Sequence, residues 1–332
     1  MLYPWQQSQW QNIRRLLENG QLPHALLLFG NRGLGKVDFA LNLAASVLCQ
    51  SPDKDHQPCG QCSACKLLAA KTHPDQYYLE PVEKKNTSSK KPALRIRIED
   101  IRTLCDSLNQ TSQFGGYRVA ILDQADQMTL EAANSLLKTL EEPGSQVLIL
   151  LVSSRPNRLP VTIRSRCQRL RFAVPDEPVA LDWLQQQGQK LPQAQAEALQ
   201  QALKYAHGSP LAALRQLEDG ERYQLVAEAM TAGVSGRDSL QYADKLAQLD
   251  KVWVLETMQG WLSDLGRLSN CGSDADIINS RFRKQLLAKA QKVNRQRLFR
   301  FYDQLNFNLS HSAIALNEPL LWENLLLSWD NL

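Results

Sequence analysis

A glycine-rich stretch between an apolar run and a helical pattern constrains the fold of this chain more than any other feature. The segment HALLLFG (24–30) is apolar and ends in glycine, as a buried parallel strand does. It runs into GNRGLGKV (30–37), which matches the phosphate-binding pattern G-x-x-x-x-G-K-[ST] except at its last position. Apolar residues then recur at helical spacing over 36–48. This order predicts a parallel α/β sheet whose ligand site lies at the glycine loop.

Two further apolar runs extend the same pattern. YRVAILDQ (117–124) and QVLILLVSS (146–154) are predicted to be buried strands. The segment between them predicts a helix, with Thr129 as its N-cap and Pro143 just beyond its end. Strands alternating with helices again favour a parallel sheet flanked by helices.

Beyond about Pro175 the chain shows amphipathic helical patterns without a strong strand candidate. Its leucine and tryptophan stripes are interpreted as helix-packing core. We therefore expect an α/β domain over residues 1–173, a small helical domain over 174–218 and an all-helical domain over 219–332.

Composition restricts the class of protein only loosely. The chain has 332 residues, 43% hydrophobic and 22% charged, and its net charge of +4 is too small to indicate a nucleic-acid partner. No apolar run approaches the roughly 20 residues that span a bilayer, and the first ten residues lack the pattern of a signal peptide. These features predict a cytoplasmic protein without a membrane partner.

Four clustered cysteines give the sharpest chemical signal. Cys59, Cys62 and Cys65 form C-x-x-C-x-x-C, and Cys49 precedes them. Four thiolates close a tetrahedral Zn²⁺ shell, which predicts a structural zinc module over 49–65 with no open coordination position. An iron–sulfur cluster and four unligated thiols are the alternatives. The remaining three cysteines are expected to be small buried residues: Cys105, Cys167 and Cys271.

The glycine loop lacks parts that ATP hydrolysis requires. Val37 stands where a hydroxyl would bind Mg²⁺, and Gln124 follows Asp123 where a carboxylate would activate water. Backbone N–H groups and a lysine can still hold phosphates without hydrolysing them, and a tight turn without any ligand is the alternative. The candidate residues of this degenerate ATP or ADP site are Gly30, Gly33, Gly35, Lys36 and Asp123.

Several motifs together resemble a known family. LLKTLEEP (136–143), LPVTIRSRC (159–167), HPD (73–75) and the cysteine cluster are similar to bacterial sliding-clamp loader subunits of the AAA+ class. Within that family, the altered ATP site resembles the delta-prime subunits of DNA polymerase III. The resemblance covers about the first 210 residues by motif, and the remainder by length and helical character alone.

The resemblance implies an AAA+ domain, a helical lid and a C-terminal collar. It also implies a ring-like assembly with gamma/tau ATPase subunits and a delta subunit, which loads a sliding clamp onto primed DNA as part of the DNA polymerase III holoenzyme. Where the lid arginine of the ATPase subunits is expected, this chain has Pro210 and Leu211. The expectation is therefore a subunit without intrinsic ATPase activity.

In this family the arginine of the S-R-C motif, here Arg166, acts as a finger in the ATP site of the next subunit. A guanidinium suits that task because it stays charged and offers a planar fork to phosphate oxygens. The alternative is that Arg166 is simply one of several surface arginines.

Two regions are candidates for contact with DNA backbone, namely the basic loop over 84–97 and the helix start over 129–134. Two other functions remain open. One is an autonomous gamma/tau-like AAA+ ATPase, and the other is a zinc-dependent nucleic-acid-binding module.

Overall fold

The computed structural model describes residues 2–82, 94–188, 196–218, 220–232, 237–311 and 317–332. The chain divides into two compact units, one reaching Trp183 and the other continuing from Leu184. The domain boundaries expected at 173 and 218 remain predictions. The predicted basic loop over 84–97 lies outside the described residues as far as residue 93.

The first unit contains a five-stranded parallel sheet with the strand order β2-β3-β4-β1-β5. In register, Leu27 of β1 lies opposite Leu151 of β4 and Arg169 of β5. The strands are β1 (Ala25–Phe29), β2 (Gln76–Leu79), β3 (Arg118–Leu122), β4 (Val147–Ser153) and β5 (Gln168–Arg171).

Helices cover both faces of this sheet. Leu27 points into an apolar layer shared with α4 and α5, while its neighbour Leu28 points into a second layer shared with α1 and α2. The strand period of two divides the strands' apolar residues between these layers, so both faces are buried. The helices of this unit are α1 (Gln7–Glu18), α2 (Lys36–Leu48), α3 (Ser63–Ala69), α4 (Ile98–Leu108), α5 (Leu130–Glu141) and α6 (Val161–Arg164). A further helix, α7 (Glu177–Gly188), contains the boundary between the two units at residues 183 and 184.

The helix predicted between β3 and β4 is confirmed. Thr129 is the N-cap of α5, and its hydroxyl accepts a hydrogen bond from the Ala132 N–H at 3.2 Å. The two edge strands were not predicted, because β2 is only four residues long and β5 buries only Leu170. Strands this short carry too few alternating residues to stand out from a loop.

The second unit is built from helices, and no strand occurs among its described residues. Its core centres on Trp261, Trp322 and Trp329, which confirms that the tryptophans form packing core. The Trp329 indole N–H also donates to the Met230 carbonyl at 2.8 Å. The helices are α8 (Ala196–Tyr205), α9 (Pro210–Glu218), α10 (Gly220–Thr231), α11 (Arg237–Leu246), α12 (Lys251–Cys271), α13 (Arg283–Ala290), α14 (Arg295–Ser310) and α15 (Glu318–Asp330).

The three isolated cysteines differ from expectation in part. Cys167 is buried as predicted, Cys105 is half-buried and Cys271 is exposed. The prediction for Cys271 was wrong because this residue ends α12 and lies past the buried face of that helix. Within the described part of the chain, no helix combines the length and apolar character needed to cross a membrane.

Candidate functional site: a glycine loop, a cysteine cluster and an exposed arginine

The glycine loop that follows β1 requires glycine at two close approaches. Gly30 has φ of 153°, and a Cβ there would lie 2.3 Å from the Phe172 carbonyl oxygen. Gly35, the N-cap of α2, has φ of 72°, and its Cβ would lie 2.4 Å from the Tyr3 ring. At Gly30 a Cβ would collide with backbone, and at Gly35 the left-handed φ strains any other residue, so both positions favour glycine.

Side chains near the start of the chain form hydrogen bonds with the glycine loop and with the first turn of α2. The side-chain amide of Gln6 donates to the carbonyl oxygens of Leu34 at 2.9 Å and Gly35 at 2.8 Å. The Tyr3 hydroxyl donates to the Asp38 carboxylate at 3.2 Å. Side chains of this same chain therefore stabilise the loop conformation. Sequence reasoning missed them, because no local pattern connects residues 3–6 with the loop.

Lys36 is turned back onto the loop that carries it. Its ammonium group donates to the carbonyl oxygens of Gly30 at 2.8 Å and Asn31 at 2.6 Å, and lies 3.4 Å from the Ser154 hydroxyl. The residue is only 5% exposed. Burial lowers the pKa of Lys36 to about 8, against the attraction of Asp123. To contact a phosphate, the ammonium would have to release these carbonyls.

The other predicted residues of the nucleotide site gather at the same edge of the sheet. Asp123 directly follows β3 and accepts hydrogen bonds from the Tyr78 hydroxyl at 3.3 Å and the Gln124 N–H at 2.7 Å. Burial raises the pKa of Asp123. Val37 packs against the apolar layer shared with α1 and α2. The structure thus brings Lys36 and Asp123 together, while Val37 and Gln124 supply neither a metal-binding hydroxyl nor a basic carboxylate.

The two positions at which the family resemblance leads us to expect a lid arginine carry no cation. Pro210 is the first residue of α9, and Leu211 follows it in the first turn. Neither side chain can pair with a phosphate.

The four clustered cysteines converge as predicted. Their sulfur atoms all lie within 4.8 Å of one another. Individual Sγ–Sγ distances are 3.6 Å for Cys65–Cys49, 3.9 Å for Cys49–Cys62 and 4.0 Å for Cys59–Cys65. A tetrahedron of thiolates with Zn–S bonds of about 2.3 Å has edges of roughly 3.8 Å. The donor set therefore fits a closed, four-coordinate zinc site.

Local backbone geometry positions these thiols. Cys49 caps the C-terminus of α2, Cys62 is the N-cap of α3, and Gly60 adopts φ of 73° in the turn between Cys59 and Cys62. The Cys59 sulfur accepts N–H groups from Gln61 at 3.5 Å and Cys62 at 3.4 Å. These donors lower the pKa of Cys59 to about 6. A thiol that ionises readily is suited to metal ligation.

Arg166 lies in the turn between α6 and β5, and its side chain is 35% exposed. One terminal nitrogen donates to the Thr162 carbonyl oxygen at 3.0 Å, and the other to the Glu141 carboxylate at 2.5 Å. The flanking residues Ile163 and Cys167 are buried in the core layer under α5. The arginine therefore projects from an anchored turn. Glu141 was not identified from the sequence as its partner.

Residues of the HPD motif hold two segments of the chain together by hydrogen bonds. Asp75 is buried and accepts hydrogen bonds from the Ser112 hydroxyl at 3.0 Å and the N–H groups of Gln113 and Phe114 at 3.0 and 3.1 Å. The His73 ring accepts the Asp75 N–H at 3.1 Å. The motif therefore joins the segment before β2 to the loop before β3.

Comparison with known proteins identifies relatives of the whole chain. A family model described as "DNA polymerase III, delta subunit" matches residues 5–176. DNA polymerase III subunit delta' of Pseudomonas aeruginosa is 43% identical over 67% of this chain and 63% of its own length. The Yersinia pestis protein of the same name is 33% identical over 99% of this chain and 95% of its own length. That of Escherichia coli is 36% identical over 67% of this chain and 62% of its own length.

Among solved structures, the DNA polymerase III gamma subunit-related protein of Thermotoga maritima covers 97% of this chain and 99% of itself, with 19% identity and a TM-score of 0.46. The RuvB branch migration motor of the same organism covers 80% of this chain and 75% of itself, with 14% identity and a TM-score of 0.41. The family model and the Yersinia pestis relative, which matches nearly the whole chain, support the same family as the motifs in the first unit. The chain belongs to the DNA polymerase III delta' subunit family.

Proposed function

We propose that this chain is a non-hydrolysing subunit of a clamp loader, and that Arg166 acts in trans at the ATP site of a neighbouring subunit. The observation that carries the proposal is a contrast within one domain. The chain's own loop holds Lys36 on carbonyl oxygens and lacks the hydroxyl and the carboxylate of a hydrolytic site, whereas Arg166 is exposed on an anchored turn.

Family membership supports a set of proposed partners. They are gamma/tau ATPase subunits, a delta subunit, the sliding clamp and primed DNA, within the cytoplasmic DNA polymerase III holoenzyme. In this assembly the chain helps to open the clamp and place it on DNA. The helical lid over 174–218 and the collar over 219–332 are proposed to hold the ring together. The helix start over 129–134 is a proposed contact with DNA backbone.

The cysteine cluster has a structural role in this proposal. Cys49, Cys59, Cys62 and Cys65 would hold Zn²⁺ and brace the segment between α2 and α3. Four protein ligands leave no position for water or substrate, so this metal would take no part in hydrolysis.

Nucleotide binding to the chain's own loop is a secondary proposal. N–H groups at the start of α2 suit phosphate oxygens, but Lys36 must first break two hydrogen bonds to carbonyl oxygens. We therefore propose weak or no binding of ATP or ADP, and no turnover.

The test compares ATP hydrolysis by the chain alone and by the complex reconstituted with gamma/tau and delta subunits. We expect no activity from the chain alone, and lower activity of the complex when it carries Arg166→Ala. Arginine fingers are worth about 10³–10⁵ in rate, so the dependent site should be nearly silent while other sites continue. Arg171→Ala, at an exposed arginine on β5, is the matched control.

Two results would contradict the proposal. Unchanged hydrolysis by an intact complex carrying Arg166→Ala would remove the finger assignment. Turnover by the chain alone, abolished by Lys36→Ala, would instead support the autonomous ATPase.

A further inference from the structure

The contact between Arg166 and Glu141 is the one ion pair that the structure describes at the S-R-C turn. It joins the last residue of α5 to the turn after α6, 25 positions later in the chain. Nothing in the proposed finger role requires an acidic partner in the same chain. A carboxylate beside a phosphate-binding arginine therefore needs an explanation of its own.

Glu141 occupies an unusual place for an acid. It is the final residue of α5, where the helix dipole is negative and cations are favoured over carboxylates. The Arg166 guanidinium is the positive group that offsets this arrangement. Helix stability alone would thus favour a different residue at this position, whereas a need to hold Arg166 favours glutamate.

The described hydrogen bonds of Arg166 use only part of the donor capacity of its guanidinium. Glu141 and the Thr162 carbonyl engage one N–H on each terminal nitrogen. A guanidinium has five N–H groups, so three remain for an acceptor from outside, as far as the described residues show. Two acceptors on the same chain fix the plane of the group while its remaining donors stay free to meet an oxyanion.

Holding Arg166 in place in advance should raise the rate of the ATP hydrolysis that depends on it. An unrestrained arginine carries about 2 kcal/mol of rotamer entropy, part of which would be lost each time the side chain engaged the phosphate. A side chain held in place beforehand loses less. We propose that Glu141 is the positioning residue of Arg166, a role that rests on the proposed function of Arg166 itself.

The experiment uses the reconstituted complex and measures kcat and KM for ATP, with assembly checked by gel filtration. We expect Glu141→Ala to lower the Arg166-dependent part of kcat by about three- to tenfold with KM unchanged. Glu141→Gln should retain most of this activity, because its amide oxygen still accepts from Arg166. Glu142→Gln removes the same charge from the adjacent exposed residue and should match wild type.

The double variant Glu141→Ala/Arg166→Ala separates positioning from a structural effect. If Glu141 acts through Arg166, the double variant hydrolyses ATP at the rate of Arg166→Ala alone. A further drop in the double variant, or wild-type or higher hydrolysis with Glu141→Ala where Arg166→Ala is defective, would overturn the role of Glu141. No effect of Arg166→Ala in an intact complex would overturn the finger and the positioning role together.

Discussion

The Lys36 ammonium lies 2.6 Å from the carbonyl oxygen of Asn31, five residues earlier in the same loop. The lysine that contacts phosphate in other loops of this pattern here donates hydrogen bonds to carbonyl oxygens of its own loop. The same contact explains why burial of the charge is tolerated, since carbonyl oxygens replace the lost water.

The buried charge on Lys36 predicts a pH dependence of stability. Its pKa is about 8 in the folded chain, against 10.5 for an ordinary lysine. Between these values the unfolded chain binds more protons, so the free energy of unfolding rises with pH, by at most about 3 kcal/mol. Below pH 8 the cost of the buried charge is fully present. Urea unfolding of wild type and Lys36→Met, at pH 7.5 and 10, isolates this contribution because other titrations cancel.

If both proteins show the same change in unfolding free energy over this range, Lys36 does not titrate as described. Wild type alone should gain stability relative to Lys36→Met as the pH rises.

The purified chain should carry about one Zn²⁺, and removal by a chelator should lower the Tm by about 5 °C or more, because ligation links α2 to α3. Cys62→Ser should lose the metal and melt at about the Tm of the chelator-treated wild type. Elemental analysis and thermal melts measure both. Cys271→Ser, at an exposed cysteine outside the cluster, should keep zinc and Tm. Iron in place of zinc, or no metal at all, would contradict the zinc assignment.

Substitution of Arg118 is expected to lower the stability of the chain strongly. Its guanidinium is buried at the start of β3 and donates to the carbonyl oxygens of Leu108, Gln110 and Ser145. Arg118→Met keeps much of the apolar volume but leaves three carbonyls without this donor, which should cost about 2–4 kcal/mol. Urea denaturation measures the loss.

Arg102→Met is the matched control for Arg118, because Arg102 is exposed on α4. It should change the unfolding free energy by less than about 0.5 kcal/mol. Equal effects of the two substitutions would mean that the carbonyl contacts of Arg118 contribute nothing specific.

Substitution of Asp75 is expected to destabilise the loop before β3. Asp75→Asn keeps the shape of the side chain but turns an amide N–H₂ toward hydrogen-bond donors. We expect a loss of about 1–3 kcal/mol and faster amide hydrogen exchange at Gln113 and Phe114. Asp106→Asn, at an exposed aspartate on α4, should leave exchange at these two amides unchanged. Unaltered exchange in Asp75→Asn would show that the aspartate does not hold the loop.

The central strands and the helix after the glycine loop could be predicted from the sequence. β1, β3 and β4 are continuous apolar runs, and buried parallel strands require that composition. The edge strands β2 and β5 could not be predicted, because four residues that expose one side to solvent have no distinctive pattern.

Some features of the candidate sites could also be predicted from the sequence. The convergence of Cys59, Cys62 and Cys65 is encoded in their spacing, since two intervening residues and a glycine turn bring adjacent thiols together. The absence of a hydroxyl at Val37 and of a carboxylate at Gln124 is likewise legible from residue identity alone.

By itself, the sequence determined the alternation of strands and helices, the cysteine cluster and the chemistry missing from the glycine loop, because each depends on residues that are close along the chain. Only the tertiary structure decided that Gln6 holds the loop 28 residues later and that Glu141 pairs with Arg166. These contacts join distant segments, and their geometry depends on how the helices pack around the sheet. Local periodicity carries no record of that packing.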